Sequence, residues 1–153
     1  MSNRSCAYCA LARDDAPDPL GGWIHRDEHW LVAPGEPEKT MAGALRVTSR
    51  RHYVDFAEMT SSEAATFGPL LSALDRALRA STDAERVHLV STRDRIQHFH
   101  AWLYPRPASH ALRGTEFFNA PQHSNPAAVE STARTVRAHI GELRPSTHVP
   151  TAH

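Results

Sequence analysis

The chain has 153 residues, of which 41% are hydrophobic, and this suits one compact domain with its own core. Its 17 basic and 17 acidic side chains balance, so net charge gives no attraction to nucleic acid or to an anionic membrane surface. No window approaches the ~18 apolar residues of a membrane span, and the N-terminus lacks a signal-peptide pattern. We therefore expect a cytoplasmic protein without nucleic-acid or membrane partners.

The N-terminal segment contains the two cysteines of the chain, Cys6 and Cys9, in a C-x-x-C spacing. Two cysteines cannot build a disulfide framework, and in a reducing compartment this spacing is typical of a metal site or a redox pair. No helix signal opens at Cys9, as thioredoxin-like redox chemistry would require. Two free thiols are the remaining alternative.

Three strands follow the turn-rich stretch "RDDAPDPLGG" (residues 13–22). The pattern predicts them at Trp23–His25, at His29–Ala33 and, after a loop with Pro and Gly, in "ALRVTS" (residues 44–49). The third strand ends before the basic "RRH" of residues 50–52.

Two helices are predicted, one on each side of a second group of strands. The first begins at Thr60, which has the capping-box spacing to Glu63. Its apolar stripe consists of Phe67, Leu71, Leu74 and Leu78. The second is capped by Asn125, has Pro126 at its first position and ends at Gly141.

Between the helices, a fourth strand is predicted over Arg86–Thr92, and a fifth contains "IQHFHAWLYPR" (residues 96–106). Groups of strands followed by helices, without βαβ alternation, predict an α+β domain on a mostly antiparallel sheet. We expect a single domain over residues 1–142 and a flexible C-terminal tail over residues 143–153.

The fifth strand places two imidazoles and an indole on one face. Residues two apart on a strand share a face, so His98, His100 and Trp102 point one way. The apolar residues of the other face point into the core; they are Phe99, Ala101 and Leu103. An ordinary solvent face with incidental polar residues is the alternative to a functional motif.

Three chemistries use a His-x-His pair. A metallo-β-lactamase-type site needs an aspartate two residues further on, where this chain has Trp102, and a cupin needs a glutamate downstream that "AWLYPR" does not offer. The third is nucleophilic phosphoryl chemistry by a histidine, which needs an imidazole held neutral.

The stretch "HFHAWLYPR" resembles the motif of the histidine triad (HIT) family, His-x-His-x-His followed by two apolar residues and often Pro-Arg. Three further segments resemble the same family in order and spacing: "CAYC", "GALRVTSRRHYVDFAEMT" and "RGTEFF" followed by a capped helix. The resemblance covers the chain from Cys6 to Ile140. It implies the HIT-like fold, a five-stranded antiparallel sheet with two main helices, and a homodimer.

The resemblance also implies roles for the motif. The middle histidine of the family attacks the α-phosphorus of a nucleotide, and that position is His100. The third histidine, a phosphate and leaving-group contact, is replaced by Trp102, whose single N–H cannot shuttle a proton. Galactose-1-phosphate uridylyltransferase, a relative in the same superfamily, carries glutamine at that place, still forms the covalent intermediate, and has a C-x-x-C and a zinc site.

Zinc-containing relatives imply a Zn²⁺ site made of Cys6, Cys9, His52 and His98, a ligand set that suits a closed tetrahedral structural site. Arg106, together with Trp102, is expected to bind substrate. Arg93 and Arg95 precede the strand, where basic residues are usually only solvated.

Three functions follow as hypotheses. The first is a nucleotidyl hydrolase or transferase that acts through a covalent nucleotidyl-histidine at His100 and has a structural zinc. The second is a repurposed HIT-fold enzyme that acts on a non-nucleotide substrate in specialised metabolism. The third is a non-catalytic nucleotide-binding module. In each case we expect a small-molecule ligand, a nucleotide or another phosphorylated compound.

Overall fold

The structure is a computed structural model and describes residues 4–142 of the chain. It is an α+β domain, in agreement with the expected fold class. The strands are β1 (His25–Arg26), β2 (Trp30–Pro34), β3 (Leu45–Ser49), β4 (Ala84–Val90) and β5 (His100–Pro107). The helices are α1 (Ala7–Ala12), α2 (Ser61–Ser81), α3 (Gly114–Asn119) and α4 (Pro126–Glu142), and a short 3-10 helix spans Phe56–Glu58. None of the described helices is long and apolar enough to cross a membrane.

The five strands form one antiparallel sheet in the order β1-β2-β3-β5-β4. Strand β5, which carries His100 and Trp102, therefore lies inside the sheet between β3 and β4. It begins at His100, so His98 and Phe99 precede the strand rather than lying on it as predicted. In the register of β3 and β5, Thr48 faces His100 and Arg46 faces Trp102. Because directly paired residues share a face, these four side chains lie on the same side of the sheet.

The opposite face of the sheet carries the core, against which α2 and α4 pack. The three predicted core residues of the motif are confirmed there, since Phe99, Ala101 and Leu103 are 0%, 0% and 3% exposed. Trp30 packs on Phe99 with ring centroids 5.9 Å apart. Burying a large side chain of this kind contributes about 1.5–3 kcal/mol. The core thus fixes β5 in place, so that its other face is held rigidly.

The predicted capping box of α2 is present. The Glu63 backbone N–H donates to Thr60 Oγ1 at 3.1 Å, and the Thr60 backbone N–H donates to Glu63 Oε2 at 2.8 Å. The same buried carboxylate accepts hydrogen bonds from Nε and Nη2 of Arg51, each at 2.9 Å. This bidentate pair ties the start of α2 to the segment that follows β3.

The structure differs from the predictions at several element boundaries. Strand β1 begins at His25 rather than Trp23, β4 runs over Ala84–Val90 rather than Arg86–Thr92, and α4 continues through Gly141 to the end of the described residues. The cap at Asn125 is confirmed by its Oδ1, which accepts from the Ala128 N–H at 2.9 Å. The predicted tail, residues 143–153, lies outside the described residues, and the single domain over residues 1–142 stays a prediction.

Helix α1 was not predicted. It has six residues, its N-cap Cys6 makes no side-chain capping bond, and no acidic residue lies in its first turn. A helix this short has little intrinsic stability. It is held instead by packing, because Cys6, Tyr8 and Cys9 form a small buried cluster with Leu11 beside the motif face of the sheet.

Candidate metal centre and active-site pocket

Four metal-ligand side chains converge at the N-terminal end of β5. Cys6, Cys9, His52 and His98 each offer one ligand atom, and all four atoms lie within 4.8 Å of one another. Cys9 Sγ lies 3.2 Å from His52 Nδ1 and 3.5 Å from His98 Nδ1. The residues come from the N-cap and first turn of α1, from the segment after β3 and from the segment that directly precedes β5. The structure therefore brings together all four residues that the sequence analysis selected.

Four of the six distances between these atoms are close to the edges of a coordination tetrahedron. Zinc–ligand distances of about 2.0–2.3 Å place two nitrogens about 3.3 Å apart and a sulfur and a nitrogen about 3.6 Å apart. The two Nδ1 atoms of His52 and His98 are 3.2 Å apart, and Cys6 Sγ is 3.4 Å from His98 Nδ1. Two sulfurs and two imidazole nitrogens at these distances form a Cys2His2 cluster that is able to hold a metal ion.

Hydrogen bonds orient His98 toward the cluster. Its Nε2–H donates to the Ser49 carbonyl at 2.7 Å, so Nδ1 carries the lone pair that points at the two sulfurs. His98 is completely buried, and burial lowers the pKa of its imidazole. Burial and the neighbouring Cys6 raise the pKa of the Cys9 thiol to about 11, so a thiolate at this place needs a cation beside it.

His100 is held as a neutral imidazole with a defined tautomer. Its Nδ1–H donates to the His98 carbonyl at 2.7 Å, which leaves the lone pair on Nε2. The side chain is 8% exposed, and burial, ahead of the nearby Arg46 and Arg93 charges, lowers its pKa. The hydroxyl of Ser91 donates to the His100 carbonyl at 2.6 Å and fixes the backbone at the first residue of β5. An imidazole with a free Nε2 lone pair is chemically suited to act as a nucleophile.

His100 and Trp102 line a pocket of about 520 Å³. This volume lies in the range of small-molecule sites. The charged side chains of the lining are four cations, Lys39, Arg46, Arg93 and Arg95, and two carboxylates, Glu36 and Asp94. The pocket is therefore basic, although the chain as a whole is neutral.

The indole of Trp102 is half-buried and belongs to a row of aromatic side chains on this face. Its ring stacks on Tyr104 with centroids 5.9 Å apart and an angle of 16° between the ring planes. The Arg46 guanidinium lies between Trp102 and Tyr8, 5.8 Å from the first ring and 4.5 Å from the second. Tyr8 also meets His100 edge to face, with ring centroids 5.1 Å apart.

Tyr8 and Arg46 were not predicted from the sequence as site residues. Tyr8 reaches the pocket because α1 packs over the motif face, and no local pattern predicted that helix. Arg46 carried a signal, because it is a charged residue in the middle of a strand whose neighbours, Leu45 and Val47, are buried. Its cross-strand pairing with Trp102 shows that the charged side chain lies on the pocket face of the sheet.

The predicted substrate residue Arg106 lies further along β5 and does not line this pocket. It is 4% exposed, and its Nη2 donates to Glu85 at 2.7 Å in an ion pair with β4. Arg93 and Arg95 do line the pocket. Arg93 is tied back to the protein, since its Nη1 donates to the Ser91 hydroxyl at 2.6 Å. The binding of substrate by Arg106 stays a prediction from the resemblance.

Solved structures share this fold. A zinc-bound histidine triad family protein from Mycobacterium smegmatis superposes with a TM-score of 0.72 at 21% identity, over 93% of this chain and 97% of that chain. A hypothetical histidine triad nucleotide-binding protein from Sulfolobus tokodaii superposes with a TM-score of 0.72 at 13% identity, over 97% and 100%. A Hit-like protein from Bartonella henselae with an unknown ligand gives 0.70 at 12% identity, over 90% and 97%.

No family model and no curated protein matches the chain by sequence. The evidence for the fold is therefore the three-dimensional arrangement. The five-stranded antiparallel sheet, the two main helices and the Cys2His2 cluster agree with what the sequence resemblance implied. The described chain has the fold of the histidine triad proteins.

Proposed function

We propose that the protein is a nucleotidyl hydrolase or transferase that acts through a covalent nucleotidyl-histidine at His100. The observation that carries the proposal is the hydrogen bond from His100 Nδ1–H to the His98 carbonyl. It leaves the lone pair on Nε2 of an imidazole that lines a basic pocket. A neutral nucleophile and fixed positive charge are what attack on a phosphorus centre requires.

The reaction has two displacements. His100 Nε2 attacks the α-phosphorus, a P–N bond forms, and the bond from phosphorus to the leaving group breaks with its electron pair on that group. The imidazolium that results keeps its Nδ1–H on the His98 carbonyl. Water or another hydroxyl then attacks the phosphorus, the P–N electron pair returns to Nε2, and the proton of the attacking group passes to solvent.

We also propose that the metal held by Cys6, Cys9, His52 and His98 is Zn²⁺. Two cysteines and two histidines suit zinc, and a site with four protein ligands has no position left for substrate. When bound, zinc there supplies structure rather than chemistry. The cysteines then fasten α1, which carries Tyr8, to the strand that carries His100.

A nucleotide is the ligand class that the pocket supports best. Its four cations against two carboxylates favour an anionic compound, and its aromatic residues offer surfaces for a ring. The Sulfolobus tokodaii structure is described as a histidine triad nucleotide-binding protein, and the likeness of fold supports the same class here.

One observation favours the repurposed enzyme as a second candidate. Trp102 lines the pocket and stacks on Tyr104. The HIT motif has a histidine at this position. A bulky indole changes the shape of the space next to His100, and a different substrate is one reason for such a change.

The test is intact-mass analysis after rapid quenching without acid. The protein is mixed with phosphoramidates, dinucleoside polyphosphates and nucleotide sugars, and one of them is expected to add a nucleotidyl mass. His100→Asn should remove the adduct while metal content and fold remain. His29→Asn, which changes a histidine outside the pocket, should retain it. Wild-type protein that binds nucleotides and never gains the mass would contradict the proposal.

A further inference from the structure

Arg46 lies beside His100 in the pocket. It pairs with Trp102 across the β3–β5 register, and Thr48, the next residue on its face, pairs with His100. Directly paired side chains in a sheet have their Cβ atoms about 5 Å apart, and diagonal neighbours lie about 7 Å apart. The guanidinium of Arg46 and the imidazole of His100 therefore belong to one patch, and both line the pocket.

Arg46, on β3, lies against the rings of Tyr8 and Trp102 but, unlike Arg93 and Arg106, it has no carboxylate partner among the described residues. Arg106 is paired with Glu85, and Arg93 donates to Ser91. No ion pair within residues 4–142 involves Arg46, and its buried Nε has no hydrogen-bond partner among those residues. The Nε atoms of Arg93 and Arg106 are buried without a partner as well, so the feature that distinguishes Arg46 is that its charge has no ion pair. The planar guanidinium group of Arg46 is suited to bind an oxyanion, which would accept hydrogen bonds from its N–H groups.

The lining of the pocket offers fixed charge but no second imidazole. Among the described residues that line it, His100 is the one histidine. Trp102 donates an N–H but has no proton to release, and burial raises the pKa of the Tyr8 phenol, which makes it a poor acid near neutral pH. The pocket can therefore stabilise a leaving group by positive charge but offers it no suitable acid for protonation.

We propose that Arg46 binds the departing phosphate of a phosphoanhydride substrate, so that this pocket selects substrates whose leaving group departs as an anion. The inference rests on the proposed function of His100 and names its substrate class. In the first displacement, the P–O bond of the anhydride breaks and its electron pair stays on the departing phosphate oxygen. That oxygen needs no proton, because Arg46 stabilises its charge. An amine leaving group would need a proton. The ammonium of the lining, Lys39, is paired with Glu36, and this pair raises its pKa, which makes it a poor acid.

The first test compares two substrates that share one nucleoside, a dinucleoside polyphosphate and a nucleoside phosphoramidate. Wild-type protein is expected to modify His100 faster with the polyphosphate. Arg46→Gln should slow that reaction about a hundredfold, as loss of one transition-state donor does, and should slow the phosphoramidate reaction much less. Equal losses with both substrates, or a wild-type preference for the phosphoramidate, would overturn the proposal.

Arg46→Lys covers the case in which the glutamine variant folds poorly, which metal content and circular dichroism will reveal. It keeps the charge and loses the planar fork, so it should retain more of the polyphosphate rate than Arg46→Gln. A lysine variant that is as slow as the glutamine variant while remaining folded would contradict the role of charge at this position. Arg86→Gln, on the exposed edge strand, is the matched control and should behave as wild type.

The second test does not depend on His100. Inorganic pyrophosphate is titrated into the protein by calorimetry, and Arg46→Gln is expected to bind it at least tenfold more weakly than wild type or Arg86→Gln. If this loss is seen but His100 is never modified, the proposed function fails and the anion site at Arg46 stands. Pyrophosphate binding that is absent from wild type, or unchanged in Arg46→Gln, would overturn the anion site itself.

Discussion

Exchanging Cys9 for alanine removes one sulfur ligand from the Cys2His2 cluster. Cys9 is 89 residues from His98 and 43 residues from His52, so the complete site exists only in the folded chain. A metal that binds the folded state alone stabilises it by mass action. We therefore expect the thermal midpoint of wild-type protein to rise with zinc, and that of Cys9→Ala to lose this response.

The size of the stabilisation follows from mass action. With free zinc a thousandfold above the dissociation constant, linkage gives about 4 kcal/mol of extra stability. For a chain of this length, each kcal/mol shifts the midpoint by about 2–4 °C, which makes the expected shift roughly 8–16 °C. Any binding of zinc by the C-x-x-C pair of the unfolded chain reduces this value, so the range is a maximum.

The assay is thermal unfolding followed by circular dichroism, in zinc and in an excess of chelator, with elemental analysis of the same samples. Wild type should carry about one zinc per chain and lose the predicted shift on chelation. Cys9→Ala should show one midpoint under both conditions. A well-folded, metal-free wild type with a midpoint indifferent to zinc would refute the argument from the cluster geometry.

Three further predictions concern the pocket, the sheet and the assembly. Trp102→His should raise turnover of ordinary nucleotide substrates if the indole merely replaces the histidine that would contact the leaving group. It should lower activity if the indole shapes the pocket for another substrate. An unchanged rate would exclude both explanations. Glu63→Gln should lower the free energy of unfolding by about 1.5–3 kcal/mol at pH 7 by breaking a charged hydrogen-bond pair, measured by urea titration. The Arg51 pair holds the pKa of Glu63 below 4.5 in the folded state, so this difference should persist above pH 4.5 and shrink as the pH falls through that lowered value; a constant difference would contradict the cause. Light scattering should give twice the 17.0 kDa mass of one chain if the domain forms the homodimer that the resemblance implies, and a monomer mass would contradict it.

The sequence predicted those parts of the fold that local patterns determine. The capping box of Thr60 and Glu63 and the cap at Asn125 satisfy backbone N–H groups by short-range contacts, and both are present. The two-residue alternation of β5 separated the core face from the site face, because side-chain direction on a strand depends only on position. Four metal ligands were selected because the resemblance supplied the pairing of distant residues that no local pattern contains.

The parts that were missed depend on tertiary packing. Helix α1 exists because Tyr8 and the two cysteines pack beside β5, and a six-residue segment carries no periodic signal strong enough to reveal it. Arg46 became a site residue only when its register opposite Trp102 was known. The position of Arg106 directly after the motif suggested that it binds substrate. In the structure its guanidinium forms an ion pair with Glu85 instead of lining the pocket.

The central claim is that His100 attacks through Nε2 while the His98 carbonyl holds Nδ1–H, and nitrogen NMR of histidine-labelled protein tests it most directly. Before substrate is added, His100 should show a protonated Nδ1 and an unprotonated Nε2, as the 2.7 Å hydrogen bond requires. After reaction with an active nucleotide, coupling to phosphorus should appear at Nε2 of this residue and be absent in His100→Asn. Phosphorus found on Nδ1, or on any side chain other than His100, would contradict the account.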